Sequence, residues 1–298
     1  MTVKALHDIA AGFAQGRVIP YLGSGVLTLG EAGVPTSPLE LVARLTAKTT
    51  VPHKVRSNLT GAAQYIENFK HRKTLSSLMT EAFRASAEPN GLHRMLAELP
   101  ELPLLVHAWY DDLPQKALAS RIDWGMAQGV SQTEHHGRWV NFFRPDGSEV
   151  TGPDPSIVAD DMPLFAPVPD EARGWATLLY QPLGSVRPAA NFLVSDSDFV
   201  EVLTEIDIQT PIPQSVQELR RDRHFLFLGC RFDNQLDRLF ARQIMKRSSA
   251  KHWAVLPDPL TRNEERFLEE QSITRLELPL LKFVGELAEA LQGQALTA

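Results

Sequence analysis

The residues of this chain best suited to chemistry stand where apolar runs meet glycine or aspartate. In the first such place, Val18-Ile19-Pro20-Tyr21-Leu22 leads into Gly23-Ser24-Gly25-Val26. Glycine has no Cβ and adopts positive φ freely, so a turn of this kind lets backbone N–H groups come close to a phosphate. Gly23, Ser24, Gly25 and Val26 therefore form a candidate nucleotide-binding corner, although a tight turn after a buried strand needs no ligand to exist. A second apolar run, His224 to Leu228, opens into Gly229-Cys230-Arg231. Cys230 at a strand-to-helix turn is either a thiol activated by a helix N-terminus or a small residue packing the turn. Arg231 suits a phosphate or the Asp233 side chain. A third run, Leu102 to Trp109, ends in Tyr110-Asp111-Asp112-Leu113, whose carboxylates suit a ribose hydroxyl or the cap of a following helix. His135 and His136, beside Glu134 and Gly137, are substitute bases or the tip of a solvated hairpin. They make a poor metal site, because neighbours on a strand point to opposite faces and no third ligand is marked.

Positioning these corners requires strands that alternate with helices. Helical spacing of Leu6, Ile9, Ala10 and Phe13 predicts a helix over Val3 to Gln15, stopped by Gly16. Ser37 and Pro38 mark the start of a helix through Thr46. Asn58 to Phe83 reads as helical throughout, and a short helix follows over Gly91 to Glu98. Ala176 to Tyr180, Lys251 to Leu256 and Ile273 to Leu278 read as further strands. Helices are predicted after Leu113, over Asn234 to Lys246, over Glu264 to Gln271, and over Leu281 to Leu291 with an apolar core face. The pattern predicts an α/β fold with a doubly wound, mainly parallel sheet, in which ligands bind at the carboxyl ends of strands. Residues 1–298 read as a single domain, with a helical module over 47–100. Residues 124–170, rich in Gly, Pro and Asp with a hairpin near Arg144-Pro145-Asp146-Gly147, read as an irregular or β insertion.

Composition narrows the function classes. The chain of 298 residues has the apolar and charged balance of a globular protein. No apolar run approaches the roughly eighteen residues that span a bilayer, and the early Asp8 argues against a secretion signal. A net charge of −6 argues against a broad nucleic-acid surface. One cysteine, Cys230, excludes an internal disulfide and a multi-cysteine metal site, and together these features predict a reducing, cytoplasmic setting.

Taken in order, these signals resemble the sirtuin-like family over almost the whole length, in its bacterial branch distinct from the protein-deacylating sirtuins. The resemblance rests on Leu22-Gly23-Ser24-Gly25-Val26, which corresponds to the family's Gly-Ala-Gly-Ser type NAD loop, and on Gly33-Val34-Pro35. It continues through Ala63-Gln64-Tyr65, His93-Arg94-Met95-Leu96-Ala97 and Trp109 to Leu113, and ends at Phe227 to Asp233. It implies a Rossmann-like large domain, a smaller helical module, and an NAD-derived ligand, NAD or ADP-ribose, in the cleft between them. The expected ligand-binding set is Gly23, Ser24, Gly25, Val26, Trp109, Asp111, Gly229, Cys230 and Arg231.

Two departures from the family's pattern matter more than the matches. Where active relatives carry Thr-Asn, this chain has Ala108-Trp109. An indole has one donor, no acceptor and far more volume than a carboxamide. Where the family has Lys-Leu-His-Gly, Tyr180-Gln181-Pro182-Leu183-Gly184-Ser185 places Leu183 at the histidine. Leucine accepts no proton, and base catalysis is typically worth about 10²- to 10⁴-fold. These positions leave no catalytic residue assigned. They fit a nucleotide-binding sensor or regulatory module, with a partner protein or a second copy left open. The alternatives are an NAD hydrolase of a bacterial antiphage defence system and a structural descendant that binds no nucleotide. Trp109 would fill the nicotinamide pocket and select ADP-ribose over NAD. Deacylation needs a zinc module that one cysteine cannot build.

Overall fold

Strand side chains alternate between two faces, and in the central strands Val18–Leu22, Leu104–His107 and His224–Leu228 nearly every position is buried, so the middle of the sheet is covered from both sides. The computed structural model describes residues 2–31, 33–85, 87–131, 133, 139–150, 169–205 and 212–295. His135 and His136, and most of the loop expected up to residue 170, lie outside the described residues. In chain order the elements are α1 (Thr2–Ala14), β1 (Val18–Leu22), α2 (Pro38–Lys48), α3 (Leu59–Lys70), α4 (Arg72–Ala82), α5 (Gly91–Ala97) and β2 (Leu104–His107). There follow α6 (Leu113–Leu118), β3 (Trp124–Gly129), β4 (Val140–Phe143), β5 (Thr177–Gln181), β6 (Gly184–Ser185), β7 (Asn191–Phe192) and α7 (Asp196–Glu205). The chain continues with α8 (Gln214–Leu219), β8 (His224–Leu228), α9 (Gln235–Met245), β9 (His252–Val255), α10 (Arg262–Glu270), β10 (Ile273–Leu276) and α11 (Leu280–Ala295).

The sheet order is β10-β9-β8-β1-β2-β5-β3-β4, parallel throughout except that β4 returns antiparallel on β3. This is the expected α/β, Rossmann-like architecture. Alternation divides the core cleanly. Ile19, Tyr21, Val106, Tyr180, Phe225 and Phe227 face one cluster with α9 and α10, and Val18, Leu22, Leu105, Leu179, Leu226 and Leu228 face another with α1, α5 and α11. β1 pairs with β8 along its whole length but with β2 only at Tyr21 and Leu22. Pro20 sits in mid-strand and has no N–H to give to a ladder.

A third cluster, built on α2, α3 and α4, lies over the strand ends and takes in Trp109, Tyr110 and Leu113. The local signals act as read: Gly16 ends α1 with φ 61°, and the Ser37 hydroxyl accepts the Glu40 N–H at 3.2 Å. The continuous helix expected over Asn58 to Phe83 is broken. His71, at φ 68°, ends α3 and starts α4, so that Ala63, Ile66, Leu75 and Met79 pack into one cluster with Leu41 and Leu45. Arg72, just past the break, is buried and pairs with Asp198 at 2.8 Å, tying this group to α7. β6, β7, α7 and α8 carry too short or too polar a pattern to be read beforehand. No helix among the described residues is long and apolar enough to cross a membrane.

Candidate functional site

The sheet places β2, β5, β3 and β4 on one side of β1 and β8, β9 and β10 on the other. The strand order therefore reverses between β1 and β8, and in open α/β sheets the crevice outside such a reversal is where ligands bind. Both glycine corners emerge there, and they interlock. Gly23 N–H donates to Leu228 O and Gly25 N–H to Gly229 O, each at 2.9 Å. A Cβ on Gly23 would lie 2.6 Å from Gly229 O, and one on Gly25 would lie 2.9 Å from the same atom. Gly229 has φ +63°, and a Cβ there would fall 2.3 Å from Val26 N. These glycines are demanded by backbone packed on backbone. Ser24 begins the 3-10 turn Ser24–Leu29 and is half-buried, as is Gly25. Cys230 lies under Gly23, its thiol donating to Tyr21 O and Leu228 O at 3.6 Å. Burial, with Asp237 adding, pushes its pKa up, so the thiol stays protonated.

At the ends of β2 and β5 the surroundings are different. Trp109 is buried, donates its indole N–H to Pro35 O at 2.9 Å, and packs edge-on to Phe83 and against Tyr110 at 6.0 and 5.0 Å between ring centres. Half-buried Leu183 packs on the same apolar cluster. No donor or base therefore comes from either of these two side chains.

Asp111 turns to the opposite face. Its Oδ1 accepts the N–H of Leu113, the first residue of α6, at 3.0 Å, and its Oδ2 meets His107 Nε2 at 3.0 Å. Burial works to raise this carboxyl, but His107, His93 and the Leu113 N–H hold it below the usual carboxylate range. Asp112 pairs with Lys116 and Arg187, both at 3.2 Å. Arg231 forms an ion pair with Glu264, Nε–Oε1 at 2.8 Å, and its Nη2–H donates to Glu264 Oε2 at 3.2 Å and to Pro259 O at 2.8 Å; it makes neither a hydrogen bond nor an ion pair with Asp233. Glu264 is fully buried and belongs to the capping box of α10.

The structure thus brings Gly23, Ser24, Gly25, Val26, Gly229 and Cys230 together, and sets Trp109, Asp111 and Arg231 apart from them in separate contacts. Sequence reasoning missed Asn90, whose side chain donates to Val26 O at 2.8 Å, and the buried His107. Asn90 ahead of the helix predicted from Gly91 was a readable capping signal. His107 gave none, since an apolar run does not announce a buried imidazole.

A search of curated proteins returned no match. A family model for the SIR2-like domain matches residues 103–276, which includes the ends of β2 and β5 and the Gly229 corner and begins after the Gly23 corner. That match spans more than half of the chain, and the protein belongs to the SIR2-like domain family.

Proposed function

We propose that this SIR2-like domain binds NAD or ADP-ribose at the ends of β1 and β8 without cleaving it, and serves as a nucleotide sensor or regulatory module. One observation carries the reading. Trp109 and Leu183, at the positions where active relatives hold asparagine and histidine, pack into apolar surroundings, while Ser24 and Gly25 stay only half-buried at the carboxyl end of β1, beside the reversal of strand order. Trp109 spends its only donor on Pro35 O, which supports ADP-ribose as the better ligand.

Calorimetric titration with NAD and with ADP-ribose tests this proposal. A substitution at Gly23 would disrupt the corner itself, so the informative variant is Ser24→Asp, which sets a negative charge at the half-buried mouth. Binding of either nucleotide that weakens at least tenfold in this variant, with thermal stability unchanged, supports the site. A wild-type chain that binds neither nucleotide contradicts it.

A hydrolase reading draws on the His107–Asp111 pair at the end of β2. Nicotinamide release that disappears in His107→Gln would favour that reading. Both side chains are buried, with His107 at 0% exposure, and this weighs against it.

A further inference from the structure

The turn Ser24–Leu29 is held from two sides. From one, Gly25 N–H donates to Gly229 O at 2.9 Å. From the other, Asn90 Nδ2–H donates to Val26 O at 2.8 Å. Asn90 also reaches the far end of the turn, because a Cβ on Gly30 would stand 3.2 Å from the Asn90 Cβ. Its remaining groups are committed as well. Oδ1 accepts the His93 N–H at 3.1 Å as the cap of α5, and the Asn90 N–H donates to His93 Nδ1 at 3.4 Å. This amide is buried and bonded at both ends, so it cannot rotate without stranding either Val26 O or the His93 N–H.

We infer that Asn90 is a positioning residue that fixes the conformation of the glycine corner and thereby sets its affinity for a nucleotide. The physical ground is preorganisation: a turn already locked in one geometry loses less conformational freedom when a ligand docks on it. The affinity part rests on the proposed function, whereas the effect on the turn does not.

Asn90→Ser separates the two roles of this side chain. A serine hydroxyl still caps α5 but is too short to reach Val26 O. Hydrogen exchange of the ligand-free chain should then show the Val26 and Gly30 amides exchanging roughly tenfold faster, with the Arg94 and Glu98 amides of α5 still protected. The dissociation constant for NAD should rise by about the same factor. Wild-type exchange at Val26 and Gly30, or an equal loss of protection in α5, would overturn the assignment and leave Asn90 as a helix cap alone. Asn90→Asp keeps the capping oxygen and loses the donor, so it must give the same local exchange pattern if the serine variant does not fold. A wild-type chain that binds neither NAD nor ADP-ribose defeats the proposed function, and the exchange pattern still decides the role of Asn90.

Discussion

The ends of β1 and β8 lie beside the ends of β2 and β5 on one sheet edge, and the two are built by opposite rules. At β1 and β8 the chain packs backbone on backbone, with Gly23, Gly25 and Gly229 so close that no Cβ fits. At β2 and β5 it packs side chain on side chain, with Trp109, Phe83 and Tyr110 in ring contact and Leu183 on the same cluster. The first region keeps a shape that only glycine permits. The second is filled by side-chain volume. The difference teaches that neighbouring strand ends of one sheet can be built on opposite packing rules.

The sharpest way to break this comparison is to place one methyl group in the glycine corner and another where there is room for it. Gly229→Ala forces Ala into φ +63° with its Cβ 2.3 Å from Val26 N. The expected cost is about 4 kcal/mol, combining left-handed strain with overpacking, read from the urea midpoint. Gly91→Ala is the control, since nothing lies within 4 Å of a Cβ there. Equal midpoints for the two variants would contradict the interlocked corner.

Next in size is a pH effect beneath the same corner. Burial lowers the His93 pKa from 6.5 to about 4. Between those values the unfolded chain binds the proton and the folded chain does not, so stability is lost as pH falls from 6.5 toward 4. His93→Gln should remove a slope on the order of 3 kcal/mol over that window, measured by denaturation at stepped pH. Asp237, in the first turn after the Gly229 corner, has the opposite sign. Burial, with Asp233 adding, raises its pKa from 3.8 to about 7, so its contribution declines as pH rises through that range. Asp237→Asn should flatten that decline.

Smaller still is Trp109→Phe, which leaves the buried Pro35 O without its donor at a cost of about 2 kcal/mol in thermal or urea unfolding. An unchanged midpoint would mean that the indole is not part of the packed surroundings described for β2. Leu183→His should have the least consequence: it supplies an imidazole but no carboxamide, and nicotinamide release should stay at background.

Much of the fold was legible because its signals are local. Gly16 and Ser37 terminate or cap helices where their chemistry predicts, and the Ser37 hydroxyl accepts the Glu40 N–H at 3.2 Å. The break at His71 was not legible, since it follows from α4 folding back on α3 to bury Ile66 with Leu75, a tertiary demand with no glycine or proline to mark it. At the candidate site the glycines could be picked out but their reason could not. Sequence offered phosphate contact, whereas the structure supplies a backbone neighbour for each of them. Arg231 illustrates the same limit, because its partner Glu264 lies in a capping box 33 residues away in sequence.

The most direct test of the central reading is mass spectrometry of the small molecules released on denaturing the chain after incubation with NAD and rapid desalting. Intact NAD retained by the wild type and lost in Ser24→Asp is the predicted result. Nicotinamide together with ADP-ribose, formed above background, would contradict it and show that the chain carries a working catalytic group.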